Sequence, residues 1–82
     1  MNKKSLAFLK ALTEAPSPSG FEQPAQKVWR EHVEPHADRV ETDVHGNCIG
    51  IKNKKGSPRI LLAGHCDELG FIVTYIDDKG FI

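Results

Sequence analysis

The sequence has no long apolar run, no net charge and only two cysteines, and each shortage excludes a class of protein. No segment approaches the ~20 consecutive apolar residues of a membrane-spanning helix, so the chain is expected to make no membrane contact. Lysine plus arginine (11) balances aspartate plus glutamate (11), which removes the basic face that nucleic-acid binding requires. Lys52, Lys54 and Lys55 cluster, but beside Gly56-Ser57-Pro58 they read as a solvated turn. Two cysteines, Cys48 and Cys66, do not make a disulfide framework, and thiols in a chain without an export signal are expected to stay reduced. Met1-Asn2-Lys3-Lys4-Ser5-Leu6 is basic but lacks the following apolar stretch of roughly 7–15 residues that export uses. A cytoplasmic protein is therefore expected. With 82 residues there is room for one small domain at most.

What is present is an ordered pattern. Ser5 reads as the cap of a first helix, with Leu6, Leu9, Ala11 and Leu12 forming an apolar stripe that Phe8 widens. That helix should stop near Ala15, because Pro16 and Pro18 disfavour helical geometry before them. Pro16-Ser17-Pro18-Ser19-Gly20 reads as a compact loop. A second helix starts at Gln23-Pro24, buries Ala25, Val28, Trp29 and Val33, and ends at Pro35. From Arg39 the period becomes two, and Val40 and Thr42 alternate with Glu41 and Asp43 as in a half-exposed strand. His45-Gly46-Asn47 is a turn, and Cys48, Ile49 and Ile51 form the partner strand. Ile60–Ala63 and Leu69–Ile76 read as further strands, and Asp77-Asp78-Lys79-Gly80 as a hairpin turn before Phe81 and Ile82. Two helices followed by four or more strands define an α/β pattern. Its apolar strands lack partners, so the sequence reads as the amino-terminal piece of something larger that would self-associate if expressed alone.

The chemistry concentrates after the apolar run Ile60-Leu61-Leu62-Ala63, which has the length and composition of a strand buried on both faces. Gly64, His65, Asp67 and Glu68 follow at its carboxyl end, where ligands bind in open α/β sheets. His65 offers a ring nitrogen to a metal, and Asp67 can fix the tautomer of that ring. Bland alternatives stand beside each reading. His65 fits a hydrogen-bonded histidine at a strand end, Asp67 a turn-capping carboxylate, and Glu68 a surface charge or a structural ion pair. Gly64 and Gly70 suit either a close backbone approach or simple packing. His32 and His36 share the i, i+4 spacing of a metal pair, but Pro35 lies between them and no His-Glu-x-x-His pattern is present, so with His45 they read as surface or turn residues. Ser19 lacks the Gly-x-Ser-x-Gly elbow of a serine nucleophile. Trp29 reads as core.

Four separated segments then occur in a telling order: Pro18-Ser19-Gly20-Phe21-Glu22, Asp43-Val44-His45-Gly46-Asn47, Gly64-His65-Cys66-Asp67-Glu68-Leu69-Gly70-Phe71 and Ile76-Asp77-Asp78-Lys79-Gly80-Phe81. Together they resemble the start of the glutamyl and deblocking aminopeptidases, the tetrahedral cytosolic metallopeptidases, some of which have been labelled endoglucanases. The resemblance implies a three-layer α/β/α zinc-peptidase domain, with residues 1–76 as the amino-terminal part of its catalytic domain. Residues 77–82 would begin the junction to an inserted β-rich dimerisation domain. It implies two divalent metal ions, zinc or cobalt, with His65 as a metal ligand and Asp67 as the catalytic-site carboxylate that orients it. The bridging aspartate, the other ligands and the general base would lie in later segments. Peptide substrates and a homo-oligomer, a dimer-based dodecamer at full length, are implied as well. Cys66 stands where family members often carry methionine, which bears on metal preference. Physical reasoning agrees, because two metals can both polarise a peptide carbonyl and generate a nucleophilic water. Hydrolysis by these residues alone is not expected, since a catalytic metal takes about three protein ligands. The rival expectation is a catalytically silent module with an assembly or weak metal-binding role.

Overall fold

The computed structural model describes all residues, Met1–Ile82. Helix α1 spans Lys3–Glu14 and is capped by Asn2, whose side chain accepts the Ser5 N–H at 2.7 Å. This corrects the expectation that Ser5 is the cap. Asn2 has the extended backbone of a cap residue (φ −75°, ψ 167°), and Ser5 sits one turn in, as the donor. Ala15 leaves helical geometry (φ −66°, ψ 125°) directly before Pro16, as the sequence predicts.

Helix α2 spans Gln23–Val33 with Pro24 in its first turn. Its adjoining residue Glu22 provides no side-chain cap. Ser17 supplies one from outside the helix: its Oγ accepts the Ala25 N–H at 2.9 Å. Ser17 (1% exposed) and Ala25 (0%) are the two fully buried residues of the chain, so this joint is its innermost point. Val28, Trp29 and Val33 are half-buried, and the chain turns through a short 3₁₀ helix at Glu34–His36 that contains Pro35.

Strands β1 (Arg39–Thr42) and β2 (Cys48–Ile51) pair antiparallel, with Val40 opposite Gly50 and Thr42 opposite Cys48. The turn between them places Gly46 at φ +90° and closes through the Asp43 N–H to the Asn47 carbonyl at 3.0 Å. The Asp43 carboxylate accepts the His45 and Asn47 amides, each at 2.9 Å. Asp77–Phe81 repeats the backbone-amide bonds of this device. Gly80 lies at φ +84°, the Asp77 N–H meets the Phe81 carbonyl at 2.9 Å, and the Asp77 carboxylate accepts the Lys79 and Phe81 amides. Both follow the three-residue hairpin loop in which an αL-like glycine ends a type I turn.

Helix α2 lies against this hairpin. Arg30 donates to Thr42 Oγ1 at 2.9 Å and to the Val40 carbonyl at 3.4 Å, and Gln26 Nε2 donates to the Gly46 carbonyl. Gly50 permits the close approach, because a Cβ there would lie 2.9 Å from Val33 Cγ1 and 3.4 Å from the Trp29 ring. Helix α1 reaches α2 through Phe8, whose ring stacks on His32 with centroids 3.8 Å apart. Of the rest of the predicted stripe, Leu6 (57%) and Leu9 (43%) are exposed, whereas Leu12 is half-buried.

The further strands expected at Ile60–Ala63 and Leu69–Ile76 are not present as strands. A strand exists by ladder pairing, and no segment of the chain pairs with these residues; the one nearby bridge, parallel, joins Pro18 to Glu68 just before Leu69. Leu62, Leu69 and Phe71 are 92%, 101% and 103% exposed. The α/β class stands on two helices and one two-stranded sheet.

Two outcomes follow from this packing. Gly50→Val should lower stability by about 1–3 kcal/mol in thermal unfolding, since the new side chain overpacks the α2–β2 contact. The Asn47 side chain, together with the Asn47 and His45 amides, holds the Asp43 carboxyl below the usual carboxylate range. Its contribution to the turn is therefore present above about pH 3.9 and lost as pH falls through the lowered value. Acid titration followed at the His45 and Asn47 amides should show that midpoint below about pH 3.9 and should lose it in Asp43→Ala.

Candidate functional site

The Pro16–Gly20 loop and the His65–Glu68 segment are 48 residues apart at Ser19 and Asp67, yet they form one unit. The Glu68 N–H donates to the Ser17 carbonyl at 3.0 Å, and the Ser19 N–H donates to the Glu68 carbonyl at 3.2 Å. Gly70 continues the approach, since a Cβ there would meet Pro18 Cβ at 3.0 Å. The close-approach reading of Gly70 is therefore the one realised. Gly64 has nothing within 4 Å of its Cβ position.

Proline at 16 and 18 fixes φ on alternate residues of the loop, and its two serine hydroxyls have separate tasks. Ser17 Oγ is used inward, on the first turn of α2. Ser19 Oγ is used at the surface, where it donates to Asp67 Oδ2. The other carboxylate oxygen, Asp67 Oδ1, lies 2.9 Å from His65 Nδ1. Gly20 (φ +92°) turns the chain away, and its N–H donates to the Glu22 carboxylate at 2.5 Å.

The protonation pattern follows from these contacts. The Ser19 hydroxyl first, and the His65 ring second, hold the Asp67 carboxyl below the usual carboxylate range. An ionised carboxylate only accepts, so both Ser19 Oγ and His65 Nδ1 donate. A neutral His65 ring with its proton on Nδ1 presents a lone pair at Nε2. Nε2 makes no hydrogen bond, and the His65 side chain is 85% exposed. This is the arrangement of a metal-binding histidine whose second nitrogen is fixed by a carboxylate. The donor set fits one ligand position: no group of three His, Cys, Asp or Glu side chains gathers around it.

The other candidates fall elsewhere. Glu68 contributes its backbone to the bridge, while its exposed side chain makes no ion pair, which favours the surface-charge reading. His32 stacks on Phe8, its ring 6.1 Å from that of the neighbouring His36, and His45 sits in the β1–β2 turn. Cys48 and Cys66 are both free thiols. Cys66, Asp67, His65 and Glu68 face Leu12, Thr13 and Ala15 at the end of α1 across an open hollow of about 250 Å³. Sequence reasoning missed Ser19 by asking only whether it was a nucleophile. The alternation of proline and serine over residues 16–19 was the available signal.

Known proteins resemble this chain over the same residues. Residues 46–82 match the M42 glutamyl aminopeptidase family. A solved TET aminopeptidase from a marine-sediment Thaumarchaeota archaeon superposes with a TM-score of 0.80 at 45% identity, covering 92% of this chain and 21% of that one. By sequence and by fold, this chain resembles the amino-terminal part of M42 and TET aminopeptidases. The glutamyl aminopeptidase of Lactococcus lactis is 36% identical over 74 residues, which is 88% of this chain and 21% of the relative. A protein of Acetivibrio thermocellus is 40% identical over 75 residues, 92% of this chain and 22% of its own. The chain thus spans about a fifth of the length of the aminopeptidase relatives it matches. No helix is long and apolar enough to cross a membrane.

The hollow also perturbs Cys66. Burial raises its thiol above the ordinary cysteine value, with the Glu22 and Asp67 carboxylates adding to the effect. At pH 8 it should therefore hold less thiolate than an unperturbed cysteine and react more slowly with iodoacetamide than a model peptide thiol. Mass spectrometry of the modified Cys66 peptide over time measures that rate.

Proposed function

We propose that this chain supplies the first metal-ligand segment of a metal-dependent aminopeptidase, which removes amino-terminal residues from peptides. The observation that carries this reading is the His65–Asp67 pair, set within the M42-matching residues with its Nε2 lone pair free. His65 would hold one of two divalent metals, zinc or cobalt, and Asp67 would keep the ring oriented through Nδ1. When bound, such a metal pair polarises the scissile carbonyl and lowers the pKa of water toward neutrality. The remaining ligands and the general base would be provided by other sequence, since one histidine does not complete a catalytic site.

The rest of the reading rests on the same likeness. Residues 1–76 would open the catalytic domain and residues 77–82 the junction to a β-rich dimerisation domain. The assembled protein would be a cytoplasmic homo-oligomer, dimer-based and dodecameric, that admits peptides to an enclosed chamber. The exposed apolar residues Ile60–Leu62 and Leu69–Ile76 suit burial in a larger domain of that kind.

The test uses the protein as its gene encodes it, assayed on amino-acyl peptides with and without chelator. Activity should vanish with chelator and return with zinc or cobalt. His65→Ala should abolish it, and Asp67→Ala should reduce it about 10–100-fold. A gene product of 9.1 kDa without metal-dependent hydrolysis would instead establish the catalytically silent module.

A further inference from the structure

Asp67 uses only one of its two carboxylate oxygens on His65. The other is taken by Ser19, a residue from a different part of the chain. A carboxylate held at one oxygen alone can swing about its side-chain torsions, and the ring it holds would swing with it. Held at both, it has one orientation. We propose that Ser19 is a positioning residue, which locks the Asp67 carboxylate and thereby fixes the tautomer and direction of the His65 ring.

The backbone around Ser19 supports that assignment. Its own N–H is bonded to the Glu68 carbonyl at 3.2 Å, and Glu68 returns an N–H to Ser17 at 3.0 Å. The hydroxyl is therefore delivered from a main chain already fixed one residue from Asp67. Pro18, packed against Gly70, and Ser17, fully buried under α2, fix the loop from its other side. Ser19 itself is exposed and touches no apolar core, so a packing role does not account for its placement. The order of action is loop, then carboxylate, then ring, then the Nε2 lone pair.

The value of this lock to metal binding rests on the proposed metallopeptidase reading, whereas its effect on the ring does not. The experiment separates the two. In the gene-encoded protein, zinc affinity measured by chelator competition should fall about tenfold in Ser19→Ala, the scale set by a hydrogen bond to a charged group and by ligand-orienting partners. Ser19→Thr, which keeps the hydroxyl, should restore it. In an Asp67→Ala background the Ser19→Ala change should have no further effect, because Ser19 acts through Asp67. Separately, the metal-free protein should show His65 as the Nδ1–H tautomer by ¹⁵N imidazole NMR, and Ser19→Ala should shift it toward a mixture of both forms. An unchanged ring signal in Ser19→Ala, or an equal loss of affinity with and without Asp67, overturns the proposal. Zinc affinity that survives His65→Ala removes the metal reading, and the ring signal still decides the role of Ser19.

Discussion

The parallel bridge between Pro18 and Glu68 is the contact on which the arrangement depends. It joins the loop after α1 to the stretch that carries His65 and Asp67, and no other strand pairing reaches that stretch. Through Ser17 it is tied to the first turn of α2. Through α2 it is tied to the hairpin by Arg30, Gln26 and the uncovered backbone at Gly50. The site is therefore positioned by a relay of polar contacts across few residues. Only Ser17 and Ala25 are fully buried, so hydrophobic packing contributes little to that positioning.

That balance explains which features were legible in the sequence. Local signals fixed local structure. Pro16 stopped α1, Pro24 opened α2, and the glycine of Asp-x-x-Gly produced the same turn at Gly46 and Gly80. These are one-residue constraints on φ and on hydrogen-bond donors, and they act wherever they occur. The capping of α1 was misassigned by three residues because Asn2 and Ser5 are both good caps, and only the extended backbone at Asn2 decides between them.

Strands are a different matter. Apolar composition at Ile60–Ala63 and Leu69–Ile76 signals a preference for burial, but a ladder needs a partner that sequence composition cannot name. The pairing of His65 with Asp67 was readable from spacing. The Ser19–Asp67 contact was not, because it spans 48 residues and depends on how the loop folds back. Gly70 hinted at a close neighbour without saying that the neighbour is Pro18.

The central claim is that the loop and the carboxylate present His65 to a metal through Nε2 alone. Zinc anomalous diffraction from crystals of the gene-encoded protein tests it most directly. The account predicts an anomalous peak bonded to His65 Nε2, with Asp67 on Nδ1 and Ser19 on Asp67. A peak bonded to Nδ1, or one at a site that excludes His65, would contradict it.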